Sequence, residues 1–296
     1  MFKFVQDGFE QAGVIFAPDD CERLKQDVLA TRDLREIFLS EQDYRRDPQR
    51  RGILPKPGRN LMAKMDPRFI FFNEAFRDVV LRVTGPRGRI LDYAFVAAVP
   101  KHYLPAWVQA ELSGAPNGNL GQFVREEFRD IIYFNGIDFH QDILDFPYRE
   151  VDFVTLYIYC DQVGKNNAPV VVVPRSHELG VTQFPHEISA LGGTRIRYGS
   201  KGDAGEYSCF ELTGSAGSMA FWHGAILHGT QPQTVDHPRI SCRILVQRNL
   251  GDPAACELSE VNKGIRGPLS LDTLRRDLGS ADELIMRRNV INSLVF

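Results

Sequence analysis

No two cysteines in this chain are spaced to hold a metal or to form a redox couple. Cys21, Cys160, Cys209, Cys242 and Cys256 are scattered, odd in number and never C-x-x-C, which excludes a disulfide frame and a zinc knuckle and leaves reduced, partly buried thiols. Apolar runs such as 168–174 fall far short of the roughly 20 residues of a membrane-crossing helix. The start, Met1-Phe-Lys-Phe-Val-Gln-Asp-Gly, lacks the apolar core and cleavage site of a secretory signal, and the final Asn-Ser-Leu-Val-Phe is no known address or lipid anchor. The expected location is therefore the cytoplasm. There is no basic excess: 35 Lys and Arg against 38 Asp and Glu give a formal net charge of −3, unlike a dedicated nucleic-acid binder. The glycine-rich signatures G-x-G-x-x-G and G-x-x-x-x-G-K-[ST] are both missing, so the commonest nucleotide sites are excluded.

What remains is an ordinary globular composition, 43% hydrophobic over 296 residues, and no linker or repeat that would divide it. Residues 1–296 read as a single domain. A short extended segment is expected at 13–17, then a helix capped within Pro18-Asp19-Asp20 that buries Leu24, Val28 and Leu29. Residues 43–60 are polar and broken by Pro48, Gly52, Pro55, Pro57 and Gly58. A second helix is expected over 73–84, with Asn73 as N-cap and Gly85-Pro86 as its stop. From about 90 to 250 the vocabulary is that of strands: 90–99, 128–134, 152–160, 170–173, 218–222 and 240–247 are β-branched or aromatic and bounded by turn residues. Many short strands without alternating helices predict an antiparallel sandwich or barrel, mainly β. A helical extension is expected over about 251–296, with helices at 270–278 and 280–289. The apolar tail Val290, Ile291, Leu294, Val295 and Phe296 could dock on the barrel or on a partner, and oligomeric state stays open.

Seven histidines offer metal ligands, and the sharpest local pattern is His140-Gln141-Asp142. Residues i and i+2 of a strand face one side, so the imidazole and carboxylate can converge on one ion. Taken alone the pattern is weak, since this composition yields about one H-x-[D/E] by chance. The setting strengthens it: an apolar strand precedes His140, and Phe146-Pro147 marks a rim loop. His228, in Phe221-Trp-His-Gly-Ala-Ile-Leu-His, is the best distant third ligand. Two histidines and a carboxylate on one face of an octahedral ion leave three open positions, the arrangement of non-haem Fe(II) oxygenases. A 2-oxoglutarate co-substrate would also need a cation for its far carboxylate, and arginine's fork suits it. Arg239 and Arg243 both follow His228 in the next strand and share parity, so strand geometry does not choose between them. A zinc hydrolase is disfavoured because no fitting general base accompanies the triad.

Longer motifs now point one way. His140-Gln-Asp-Ile-Leu-Asp-Phe-Pro-Tyr-Arg149, Thr155-Leu-Tyr-Ile-Tyr-Cys-Asp161, Asn167-Ala168 followed by Pro174-Arg-Ser-His177, and Gly217-Ser-Met-Ala-Phe221 followed by His223 and His228-Gly-Thr230 resemble the phytanoyl-CoA dioxygenase-like Fe(II)/2-oxoglutarate oxygenases. The resemblance runs from about 131 to 247. Ala168 and Ser218 stand where that family carries a turn glycine and an aspartate.

The resemblance implies a double-stranded β-helix, or jelly roll, with Fe(II) at its open end held by His140, Asp142 and His228. It places the co-substrate arginine eleven residues after the second histidine, at Arg239, with Thr155 and Thr230 assisting and Tyr157 lining the pocket. Gln141 would face the substrate side. The implied reaction consumes 2-oxoglutarate and O2, releases succinate and CO2, and hydroxylates a small organic molecule; desaturation, epimerisation or ring closure by the same oxidising chemistry are the alternatives. A carboxylate at Asp142 disfavours halogenation. A further alternative is a metal-binding jelly roll without turnover. Arg243 and His223 remain candidates near the substrate, although packing is the simpler role for His223. His177 is expected to be structural, and His102, His186 and His237 solvated. The cluster Arg45, Arg46, Arg50, Arg51, Lys56 and Arg59 reads as a solvated loop, with a lid over an anionic substrate as the other reading. No nucleic-acid or membrane partner is expected.

Overall fold

A computed structural model describes residues 3–46, 60–114, 118–146, 149–199, 203–251 and 255–274. In chain order the strands are β1 (Phe9–Val14), β2 (Arg89–Ala98), β3 (Ile132–Phe134), β4 (Ile137–His140), β5 (Phe153–Tyr159), β6 (Val170–Val172), β7 (Ile188–Gly192), β8 (Arg195–Tyr198), β9 (Gly205–Ser208), β10 (Phe210–Leu212), β11 (Ser218–His223), β12 (His228–Thr230) and β13 (Arg239–Gln247). A six-stranded sheet runs β1-β11-β5-β13-β2-β3, a four-stranded sheet runs β10-β6-β12-β4, and β7-β8-β9 form a separate meander. The first two sheets enclose one apolar core and make the double-stranded β-helix that the resemblance implied. Pairing is antiparallel except between β2 and β3, which run parallel.

Every residue of β5 is buried, because both faces of the large sheet are covered. On the outward face, Phe95 and Ala97 of β2, Leu156 and Ile158 of β5 and Ile240, Cys242 and Ile244 of β13 pack beneath the helices. On the inward face lie Ala94, Val96 and Ala98, Tyr157 and Tyr159, and Trp222. β5 accordingly reads as a nearly continuous apolar run. The pleat still sorts the side chains: arginines 239 and 243, four residues apart, share the inward side.

The helices cover the outward face. Pro18–Ala30 begins at Pro18 with Ala17 as an uncapped N-cap, so the aspartates occupy its first turn and not the cap. The helix Glu74–Thr84 starts and stops where expected: Asn73 accepts from the Phe76 amide, and Gly85 leaves it at φ 76°. Several expectations are corrected. The extended segment near the start is Phe9–Val14, paired to β11. Residues 41–46 are helical, where i, i+4 bonding of Arg45 to Glu41 outweighs the polar composition. Residues 126–128 form a 3-10 turn, which shortens the expected strand to β3. The chain past β13 carries a helix at Glu257–Lys263, and 270–274 are irregular. The remainder of the expected C-terminal helices, the apolar tail, and Arg50, Arg51, Lys56 and Arg59 lie outside the described residues. Ala168, which replaces a family glycine, takes φ 51°, and Arg175 takes φ 66°, both left-handed conformations that glycine adopts without a Cβ penalty.

His177, His186 and His223 are almost completely buried. Burial pushes His177 down to about 4 and both His186 and His223 down to about 3. They are neutral in the fold, so unfolding takes up protons below the ordinary histidine value of about 6.5. Their contribution to stability is therefore lost as pH falls from about 6.5 towards 3–4, at up to about 1.4 kcal/mol per unit per histidine. The urea midpoint of metal-free protein should fall between pH 7 and pH 5; a midpoint that rises over that interval contradicts this account.

Candidate metal centre

β4 and β12 pair antiparallel with His140 opposite His228, which brings the two imidazoles to 4.3 Å between ring centres. Asp142 follows in the 3-10 turn Asp142–Asp145. The ligand atoms of these three residues lie within 4.8 Å of one another, the one such cluster among the described residues.

Each donor is oriented by a bond on its far side. His140 Nδ1 lies 3.0 Å from the Asp138 carbonyl, and His228 Nδ1 lies 3.0 Å from the Ile226 carbonyl. A carbonyl only accepts, so both rings carry their proton on Nδ1 and present an Nε2 lone pair. Asp142 Oδ2 accepts from the Thr155 hydroxyl at 2.6 Å and from the Trp222 indole at 2.9 Å. Its Oδ1 is left 3.6 Å from His228 Nε2 and 4.0 Å from His140 Nε2. Burial alone would raise the Asp142 carboxyl, but neighbouring positive charge and the Thr155 hydroxyl hold it below its ordinary value. Burial pushes His228 down to about 4 against the pull of Asp142. Arg243 adds a permanent positive charge to those neighbours. A charged carboxylate and neutral imidazoles are the forms that bind metal, and the set suits Fe(II) with open positions.

Arg239 lies on the inward face of the large sheet and is fully buried. One of its nitrogens donates to the Tyr157 hydroxyl at 3.4 Å, while Nε and Nη1 have no partner. The rings of Tyr159, Phe134 and Tyr157 surround it at 5.3, 5.4 and 5.7 Å. A guanidinium does not deprotonate. Burying it without a counter-ion costs several kcal/mol, against about 2 kcal/mol from such ring contacts. The arrangement fits a carboxylate ligand. Arg243, by contrast, donates to Asp92 at 2.7 Å and lies 3.8 Å from Asp145. Its charge is already answered.

The other candidate residues divide. Thr230 accepts from the Ile137 amide at 3.1 Å and keeps its own proton to donate. Thr155, expected at the co-substrate, has its hydroxyl committed to Asp142. Gln141 does not face the substrate side: its neighbours point inward, the pleat turns it the other way, and it is fully buried. His223 is also corrected, since Nε2 bonds Asn262 at 2.7 Å and Nδ1 accepts from the Ala225 amide at 3.2 Å, leaving no nitrogen for a ligand. His186 is not solvated; its Nδ1 meets the Thr182 hydroxyl at 2.9 Å. His102 and His237 are exposed. Arg45 and Arg46 are exposed and paired to acids. Trp222 escaped sequence reasoning; its signal was its place opposite Thr155 in the β11–β5 register.

Fold and site together define a class: a jelly roll whose inward faces carry two histidines and a carboxylate fit for iron, and a buried arginine fit for a keto acid. Residues 131–241 match the family model for phytanoyl-CoA dioxygenase (PhyH), so the resemblance read from the motifs holds over that segment. A probable alpha-ketoglutarate-dependent hypophosphite dioxygenase of Stutzerimonas stutzeri is 27% identical over 118 residues, 37% of this chain and 38% of that protein. The chain thus matches little more than a third of that relative's length. The non-heme monooxygenase ThoJ in its apo form shares the fold, with a TM-score of 0.51 and 16% identity over 83% of this chain and 76% of that one. The family match, the dioxygenase relative and the donor set support Fe(II), 2-oxoglutarate and O2 as the cofactor set, while the ThoJ likeness bears on the fold alone. No helix among the described residues is long and apolar enough to cross a membrane.

Trp222→Phe and Thr155→Val each remove one bond from Asp142 Oδ2. Each should weaken Mn(II) binding to the metal-free protein about tenfold or more by calorimetry. Wild-type affinity in both variants would show that these donors do not set the carboxylate.

Proposed function

We propose that the chain is an Fe(II)- and 2-oxoglutarate-dependent dioxygenase that hydroxylates an unactivated C–H bond of a small organic molecule, releasing succinate and CO2. The observation that carries this reading is a fully buried arginine without a counter-ion on the inward face of the large sheet, together with the three-donor cluster on β4, the turn after it and β12. Held by His140 Nε2, His228 Nε2 and Asp142 Oδ1, Fe(II) would supply, with 2-oxoglutarate and O2, an oxidant strong enough to take hydrogen from carbon.

The chain's own work is to bind, orient and exclude water. Arg239 takes the distal carboxylate of 2-oxoglutarate through its free Nε and Nη1, and the Tyr157 and Thr230 hydroxyls assist. Trp222, Tyr157 and Tyr159 pack ring to ring at 5.6 Å spacings and keep that wall dry, which limits wasteful side reactions. β2, in the same sheet, turns Ala94, Val96 and Ala98 inward beside them. Arg243, already engaged by Asp92 and Asp145, is a poor receptor for an anionic substrate, and the substrate class is set elsewhere in the cavity.

Asp142→Ala should abolish substrate-dependent succinate formation, and near wild-type turnover would contradict the assignment. Arg239→Ala should raise the 2-oxoglutarate KM by about 10–100-fold, the worth of a charge-assisted bond of 1.5–3 kcal/mol. Arg243→Ala should change it far less; the opposite ranking would move the anchor. The product of the wild-type reaction should be one oxygen atom heavier than the substrate, and loss of two hydrogens would instead indicate desaturation.

A further inference from the structure

His140 and Asp142 belong to one end of β4, and His228 to the start of β12, so the site is assembled from two halves. The backbone ladder between those halves is meagre. β4 has four residues and β12 three, and their register shifts between His228 and Thr230. The side chain between the two first ligands supplies what the ladder lacks. Gln141 is fully buried. Its Nε2 donates to the Ala225 carbonyl at 2.7 Å and the Gly180 carbonyl at 2.9 Å, and its Oε1 accepts from the Thr182 amide at 2.9 Å.

Ala225 lies in the turn 224–227 that separates Trp222 from His228. The same turn contributes the Ile226 carbonyl that fixes His228, and the Leu227 amide, which is tied to the Ser176 hydroxyl at 2.8 Å. Trp222, on its other side, holds Asp142. The third strap is itself anchored, because the Thr182 hydroxyl meets the Tyr198 hydroxyl at 2.7 Å and His186 at 2.9 Å.

We infer that Gln141 is a positioning residue: its carboxamide staples the His140–Asp142 turn to the turn that carries His228 and so sets the distance between the two halves of the metal site. This rests on the metal reading above. A carboxamide is suited because it offers two donors to two carbonyls and an acceptor to an amide at once. No apolar side chain and no carboxylate can satisfy all three.

The test is Co(II) titration of metal-free protein, followed by the visible absorption of the bound ion and by melting in chelator. Wild type should bind tightly. Gln141→Met, of similar length with no hydrogen bonds, should bind about 10–100-fold more weakly with an altered Co(II) spectrum. Gln141→Glu, which keeps the acceptor but turns an oxygen towards the two carbonyls, should do the same. Tyr133→Phe removes hydrogen bonds to Arg32 and the Phe128 carbonyl in the outward core, away from the staple, and should leave Co(II) affinity little changed even if melting drops. Wild-type affinity and spectrum in both Gln141 variants overturn the inference, as does an equal loss in Tyr133→Phe, which would mean general loosening. If neither Gln141 variant folds, the residue determines the fold and not the ligand spacing, and the inference is again overturned. A wild-type protein that takes no Co(II) overturns the metal reading, and the inference with it.

Discussion

The two oxygens of Asp142 have separate tasks. Oδ2 is tied down by the Thr155 hydroxyl and the Trp222 indole, while Oδ1 faces the two imidazole nitrogens. Were either bond lost, the carboxylate could rotate, and a buried charge would be left with too few donors. Because Thr155 lies on β5 and Trp222 on β11, this one group locks the turn after β4 onto the large sheet. The ligand geometry is thereby set before any ion arrives. That matters because the β4–β12 ladder is too short to hold it alone.

The second constraint is electrostatic. Arg239 sits in a cage of three aromatic rings without a carboxylate, a costly arrangement for an apoprotein. Arg243, four residues along the same strand face, shows what a satisfied arginine looks like here. The pleat explains why such different elements meet. Thr155, Tyr157, Tyr159, Arg239 and Trp222 all point inward because they share the parity of their strands, and the residues between them build the outward core under the helices. Packing and chemistry are thus two faces of the same sheet.

Much of this was legible in the sequence, and the divide between what was and was not follows from range. β-branched or aromatic runs marked β2, β5, β6, β11 and β13 because strand composition is local. The i, i+2 spacing of His140 and Asp142 carried their shared face for the same reason. The same rule, applied one residue further, places Gln141 on the opposite face. Trp222 and Thr155 depend on the register of two strands far apart in the chain, which no local pattern encodes. β7–β10 and β12 are too short for a periodic signal, and β12 is placed only by its partners. Ala168 was visible as a departure from a glycine position, and its left-handed backbone is the conformation that glycine would favour.

The most direct measurement is a crystal structure of the protein grown without oxygen in the presence of Mn(II) and 2-oxoglutarate. The account predicts one ion about 2.0–2.3 Å from His140 Nε2, Asp142 Oδ1 and His228 Nε2, with the keto acid's far carboxylate on Arg239. Density for the ion elsewhere, or a keto acid whose far end lies away from that guanidinium, would contradict it.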